Sequence, residues 1–314
     1  MTIAVRDLTI RYGDHVAVEN LSLQFGEGAV GLLGRNGAGK SSVLKALLGL
    51  VRPTQGTIQF AGLPADASAA DVRSHVGYMP ERDAWLPEVS GFDMVATLGM
   101  LSGMPRRDAW RRAHEVLFLV GLEEQRYRLV SGYSTGMRQK AKLAAALVHD
   151  PDVLLLDEPT NGLDPGGRLE MLRLVRQIAA EFGKSIVFST HILPDVESVC
   201  GAAVVLERGR VVASGPLAQL TRGGQRQHRL TIEPASPERD QVVFAALARL
   251  GTATALGQGR FDLSLGAGVT HAEVFAAVAA AGTAVRGFSP HRQSLEDVFL
   301  SVVGGPADQG RGTT

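Results

Sequence analysis

The sequence predicts an α/β core built on a largely parallel sheet, a helical subdomain inserted into that core, and a small C-terminal α+β domain. Short β-like runs alternate with longer stretches of helical periodicity. Val153-Leu154-Leu155-Leu156 is apolar without a break, as a strand covered on both faces has to be. After a polar stretch at residues 221–227 the pattern changes character, which marks a second domain.

The β-like runs lie at residues 3–5, 30–33, 57–60, 153–156, 186–188 and 204–206, and are expected to form the sheet. Between Glu81 and Asp150 they disappear. Pro105 is placed to open a helix that carries Trp110, Ala113, Val116, Leu117 and Val120 toward a core, and Gly121 is placed to stop it. Residues 82–150 are therefore expected to be the inserted helical subdomain of a first domain spanning 1–222. Residues 223–303 follow as the small α+β domain. It has strand-like alternation at Leu230/Ile232 and Phe261/Leu263/Leu265, and helical spans at 241–250 and 271–281. The tail, 304–314, is Gly/Pro/polar and is expected to be disordered.

Composition narrows the function. With 314 residues, 45% hydrophobic and 20% charged, the chain has the makeup of a globular protein of about two domains. Its 32 basic and 32 acidic side chains balance, which argues against nucleic acid as a partner, since phosphate-backbone binding needs a basic excess. Small phosphate ligands stay open. The longest nearly apolar stretch, 274–285, is shorter than the ~18–20 residues of a membrane span, and residues 1–9 lack the apolar run of a secretory signal. A cytoplasmic location is expected, with the single cysteine, Cys200, as a buried structural thiol. Lysine is scarce against arginine, occurring at 40, 45, 140, 142 and 184, so each one draws attention.

Gly34-Arg35-Asn36-Gly37-Ala38-Gly39-Lys40-Ser41 matches the phosphate-binding loop, after one expected strand and before an expected helix. Glycines let the backbone curl so that successive N–H groups face phosphate oxygens, Lys40 brings a point charge, and the Ser41 hydroxyl suits Mg²⁺. Ser42 continues the loop into the helix. Such a site needs an acidic residue at the end of a buried strand, and Asp157-Glu158 follows the apolar run. Asp157 is expected to hold Mg²⁺ through water and Glu158 to polarise an attacking water.

These motifs in this order resemble the ATP-binding subunit of an ABC transporter, over roughly residues 3–220. The resemblance implies an α/β P-loop ATPase core, with ATP and Mg²⁺ as ligands. It implies that Tyr12 stacks on adenine, and that His191, in Ser189-Thr190-His191, is the switch histidine at the γ-phosphate. Asn161-Gly162-Leu163-Asp164 resembles the loop that crosses the dimer interface, and Asp164 before Pro165 also suits a helix N-cap. Tyr133-Ser134-Thr135-Gly136-Met137 stands where the family has Leu-Ser-Gly-Gly-Gln, keeping Ser134 and Gly136. Glu81, in Val76-Gly77-Tyr78-Met79-Pro80-Glu81, stands where the family has glutamine and adds a third carboxylate near the metal.

One nucleotide module with two phosphate-binding devices implies pairing. In the family two subunits sandwich two ATPs, so a second ATP-binding subunit is an expected partner, a homodimer or a related chain. Ser294-Leu295-Glu296-Asp297-Val298-Phe299 resembles the ending of ATPase subunits of bacterial ABC-2-type exporters of drugs and antibiotics. That resemblance implies separate membrane-spanning permease subunits and a peripheral position on the inner face of the cell membrane. The alternative is a soluble ABC ATPase acting on ribosomes or nucleic acid. Such relatives carry two fused modules, a long coiled coil or zinc cysteines, and none of these is visible here.

Overall fold

Ala29-Val30-Gly31-Leu32-Leu33 contains no side chain that needs water, and all five residues are buried at the centre of the principal sheet. The computed structural model describes residues 1–82, 88–221, 227–233, 237–290, 295, 296 and 299. These fall into two units, Met1–Leu217 and Ala218–Ser301.

The first unit runs β1 (Ile3–Tyr12), β2 (His15–Phe25), β3 (Ala29–Leu33), α1 (Lys40–Leu47), β4 (Gln55–Phe60), α2 (Ala69–Ser74) and β5 (Val76–Met79). Three helices follow: α3 (Gly91–Leu101), α4 (Arg106–Leu119) and α5 (Thr135–Leu147). The chain then returns through β6 (Val153–Asp157), α6 (Pro165–Glu181), β7 (Ser185–Thr190), α7 (Leu193–Val199), β8 (Ala202–Glu207) and β9 (Arg210–Pro216), and the short α8 (Leu217–Leu220) begins at the boundary of the two units.

The principal sheet has the order β5-β6-β7-β3-β8-β9. Every pairing in it is parallel except β9 on β8. Of its inner strands, β3, β6 and β7 are buried throughout and β8 everywhere but its ends, so none alternates in polarity. Residues 3–5 and 57–60 were expected in this sheet and are not there. They belong to β1 and β4 of a separate antiparallel sheet, β2-β1-β4. The reason is β2, which the sequence reading passed over: its Val18, Leu21 and Phe25 are buried and pair it with β1 across several register shifts. The two sheets share one core, in which Ile3, Leu8, Val18 and Phe25 meet Val30, Leu32, Leu44 and Leu155.

Strands are absent from residues 88–152, as expected. Helix α4 buries Ala109, Ala113, Val116 and Leu117, and Val120 behind them, and ends at Gly121 with φ 70°. Two details differ. Pro105 is the N-cap, its carbonyl accepting from Asp108 and Ala109, so the helix begins one residue later. Trp110 lies off the buried stripe and is 40% exposed, its ring edge-on to Phe92 at 5.4 Å with the Arg106 guanidinium 5.1 Å above it.

Among its described residues the second unit has a four-stranded antiparallel sheet and two helices of ten residues or more. Its elements are β10 (Gln227–Ile232), α9 (Pro237–Leu247), β11 (Gly251–Gly257), β12 (Arg260–Leu265), α10 (His271–Ala280) and β13 (Val285–Pro290), with strand order β11-β12-β10-β13. Val243 and Leu247 of α9 and Val274 and Val278 of α10 pack on Leu230, Ile232, Phe261 and Leu263. Strands β11 and β13 were not anticipated. The tail expected to be disordered, 304–314, lies outside the described residues, as does most of the polar joint. Of Ser294–Phe299 only Leu295, Glu296 and Phe299 are described, with Leu295 buried. Among the described residues no helix is long and apolar enough to cross a membrane.

Candidate nucleotide-binding site

Strand β3 ends at Leu33 and the chain turns through the glycine loop into α1. Gly39 sits at φ 102°, where a Cβ would come within 2.7 Å of the Ala17 carbonyl oxygen on β2. A Cβ on Gly34 would approach the Leu206 carbonyl oxygen on β8 to 2.6 Å. Both positions need the bare backbone that only glycine supplies. Gly39 is also the N-cap of α1, and no side chain caps that end. The N–H groups of the first turn, and the positive end of the helix dipole, are thus left for an acceptor lodged in the loop.

Lys40 is 6% exposed, its Nζ donating to the Gly34 carbonyl at 2.7 Å and lying 3.2 Å from Glu158 Oε1. Glu158 follows the last residue of β6 in a left-handed turn, φ 50°, uncommon for a residue other than glycine. Its amide donates to the Ser189 carbonyl at 3.0 Å, which fixes the turn against β7. The turn separates the two carboxylates. Asp157 Oδ1 accepts from the Ser189 hydroxyl at 3.0 Å, whereas Glu158 Oε2 lies 3.0 Å from His191 Nδ1. Glu158 Oε1 is neutralised by Lys40 but off its hydrogen-bonding direction, so this buried oxygen has no hydrogen bond. That leaves this oxygen able to accept a hydrogen bond from a water or ligand lodged beside the loop.

A cavity of about 310 Å³ is lined by Tyr12, Asn36, Gly37, Gly39, Lys40, Ser41, Ser42, Glu81 and Glu158, nine of the residues expected from sequence. Gly34 contributes its carbonyl to Lys40, His191 reaches the cavity through Glu158, and Asp157 stands behind it on Ser189. Glu81 is exposed, with Oε1 3.5 Å from Asn161 Nδ2. Ser134, Gly136 and Asp164 are not brought to this cavity. They line a second groove of about 540 Å³, where the Ser134 and Asp164 side chains cap α5 and α6 by accepting from Met137 and Gly167.

Sequence reasoning missed several residues. His15, Ala17 and Arg35 also line the cavity, and His15 follows Tyr12 so closely that their shared turn could have signalled it. Tyr78 stands beside Asp157, and burial, then the charge of Asp157, pushes its phenol well above the ordinary value, with a smaller push from Glu81. Lys142 is buried on α5 and donates to the carbonyls of Pro80 and Glu81 at 2.9 and 3.0 Å, fixing the backbone that presents Glu81. Gln139, one turn earlier, donates to the Asn161 carbonyl at 3.0 Å. Cys200 is a buried free thiol, pushed up to about 12 by burial and, secondarily, by the charge of Asp195.

The family model described as ABC transporter matches residues 18–161. The uncharacterized ABC transporter ATP-binding protein YxlF of Bacillus subtilis (strain 168) is 38% identical over 219 residues, covering 69% of this chain and 72% of that protein. The bacitracin transport ATP-binding protein BcrA of Enterococcus faecalis is 29% identical across 96% of both chains. Among solved structures, one described as the ATP binding subunit of an ABC transporter superposes with a TM-score of 0.63 at 30% identity, covering 71% of this chain and 92% of that one.

Proposed function

Because the chain belongs to the ABC transporter family of ATP-binding subunits, we propose that it is the ATP-hydrolysing subunit of an exporter, driving separate membrane-spanning subunits through ATP-dependent pairing with a second ATP-binding subunit. The observation that carries this reading is the cluster at the mouth of the glycine loop, in which Lys40 and Glu158 are buried and His191 is exposed. Lys40, Glu158 and His191 lie within 3.2 Å of one another along a chain of contacts, beside an uncapped helix N-terminus.

The side chains divide the work. The loop amides and Lys40 hold the β- and γ-phosphates, and Tyr12, half exposed at the rim, gives the adenine a face to stack on. Glu158 takes the proton of the attacking water through the oxygen that has no hydrogen bond, and His191 steadies the other oxygen and reaches the γ-phosphate. Ser41, Asp157 and Glu81 would hold Mg²⁺, which neutralises phosphate charge when bound. The orphan Glu158 oxygen, the bare helix end and the oxygen-rich donor set all fit a metal–nucleotide ligand. Ser134 and Gly136, at the start of α5 in the second groove, serve the partner's nucleotide. Asp164 joins them at that surface.

The exporter reading is supported by likeness to a bacitracin transport protein over 96% of both chains, second unit included. A groove of about 600 Å³ between Leu50 and Leu101, two leucines that are 59% and 77% exposed, offers an apolar seat for a short helix of a membrane subunit. With such a partner the chain sits on the cytoplasmic face of the membrane. Affinity purification of the tagged chain from detergent-solubilised membranes tests the assignment. A polytopic membrane protein retained at high salt is the expected companion, whereas ribosomes or nucleic acid in its place would reject the exporter reading.

A further inference from the structure

Strands β6 and β7 are parallel neighbours, and the loops leaving their ends carry Glu158 and His191. Two backbone hydrogen bonds organise the first loop internally, Asn161 to the Glu158 carbonyl and Leu163 to the Thr160 carbonyl. Beyond His191 the second loop enters α7, whose third residue is Asp195. This carboxylate is 1% exposed. Its Oδ2 accepts from the Thr160 hydroxyl at 2.7 Å, and its Oδ1 lies 2.6 Å from both Nε and Nη2 of Arg168. Thr160 comes before Asn161–Asp164 and Arg168 after it, so one buried carboxylate grips both sides of the loop that follows Glu158.

We infer that Asp195 is a positioning residue for ATP hydrolysis, clamping the loop that carries Glu158 to the segment that carries His191 and so setting the separation of those two side chains. This rests on the reading of Glu158 as the base. A buried ion pair adds little stability over apolar residues of the same volume, and its best-attested use is to fix one arrangement among several. Here it fixes the two loops from which the reacting groups project. Among the described residues, the other ties near the ends of β6 and β7 include the Glu158 amide to the Ser189 carbonyl, the Ser189 hydroxyl to Asp157, and the Glu158–His191 contact itself. A displacement of about 1 Å at a reacting group costs on the order of a hundredfold in rate, so loss of the clamp is read in turnover while the phosphate loop is left intact.

The test uses the full-length chain carrying Thr160→Val, Thr160→Ser or Asp195→Asn, with Thr160→Val/Asp195→Asn as the double variant. Valine matches threonine in shape and removes only the hydroxyl; serine keeps it. The clamp requires that Thr160→Val and Asp195→Asn each lower kcat at least about tenfold while the Mg–ATP dissociation constant stays within about twofold. Thr160→Ser should restore turnover, and the double variant should be no slower than the slower single. Unchanged kcat in folded Thr160→Val overturns the inference. So does a Thr160→Ser protein as slow as Thr160→Val, or a loss of affinity and thermal stability in step with kcat. Glu158→Gln run alongside keeps the two ideas apart: if it hydrolyses at the wild-type rate, the assignment of the base fails, while the valine–serine comparison still decides whether the clamp acts on turnover.

Discussion

Replacing Glu158 by glutamine keeps the shape of a side chain that is 5% exposed but takes away both its charge and its ability to accept a proton. Of the other carboxylates, Asp157 accepts from the Ser189 hydroxyl and stands behind the cavity, and Glu81 lies at its exposed rim beside Asn161, so neither is held where Glu158 is. General-base catalysis contributes about 10²–10⁴-fold, and with no substitute in reach the loss should fall near the middle, about 10³-fold or ~4 kcal/mol of barrier. Binding should respond in the opposite direction. Lys40 Nζ loses the carboxylate at 3.2 Å that shares its charge, keeps its bond to Gly34, and meets an incoming phosphate without a competing anion. Single-turnover phosphate release, read beside equilibrium nucleotide binding and sedimentation with and without Mg–ATP, separates the two effects. Slow hydrolysis with Mg–ATP affinity equal to or tighter than wild type, and an ATP-dependent dimer, is expected. Folded Glu158→Gln protein that hydrolyses within tenfold of wild type would refute the role of the base, and a monomer in both conditions would refute the paired arrangement.

Lys40→Ala should lose most ATP binding, since the role proposed for Lys40 is contact with ground-state phosphate; isothermal titration with Mg–ATP measures it, and near-normal affinity would contradict the phosphate role. A chain ending at residue 222 keeps every residue placed in the nucleotide cavity and should remain soluble and bind Mg–ATP; a folded product that cannot bind would show that the second unit is needed for the first. Glu81→Gln should keep hydrolysis but weaken its dependence on Mg²⁺, because one carboxylate leaves the rim of the cavity; superimposable magnesium titrations would remove Glu81 from the metal site. The Cys200 thiol, raised from an ordinary value near 9 to about 12, should resist alkylation at pH 8 until the chain is unfolded in urea. With the folded value the higher one, its contribution to stability is complete below pH 9 and is lost as pH rises toward 12. A urea midpoint that does not fall across that window would contradict the burial argument.

The phosphate loop could be read from sequence because its chemistry is local: the glycines, lysine and serine act within eight residues of backbone. Asp157 and Glu158 were legible for a related reason, four apolar residues in β6 having announced a buried strand with an abrupt polar end. What escaped depends on partners far along the chain. The β2 strand alternates enough to have been read, yet its pairing with β1 passes through register shifts, and only that pairing moves β1 and β4 out of the principal sheet. Asp195 gave no sequence signal, since its partners stand 35 and 27 residues away. Scarcity did flag Lys142, but its purpose is defined by carbonyls more than 60 residues earlier. Trp110 was misplaced because a large ring was counted by its hydrophobicity; half covered by Phe92 and Arg106, it satisfies both solvents.

The glycine loop lies where the two sheets of the first unit meet. Backbone hydrogen bonds join the turn before β9 to both sides of the junction, from Glu19 to the Gly209 carbonyl and from Gly209 to the Ala38 carbonyl. Tyr12, His15 and Ala17 enter the cavity from the antiparallel sheet, whereas Lys40, Ser41 and Glu158 enter it from the parallel one. A nucleotide lodged there, as proposed, would touch both layers and act as a rivet through their seam. Heating therefore pulls against occupancy. At a ligand concentration a hundred times its dissociation constant the bound form gains about 2.7 kcal/mol against unfolding, so the melting temperature of this protein becomes a gauge of how full the cavity is.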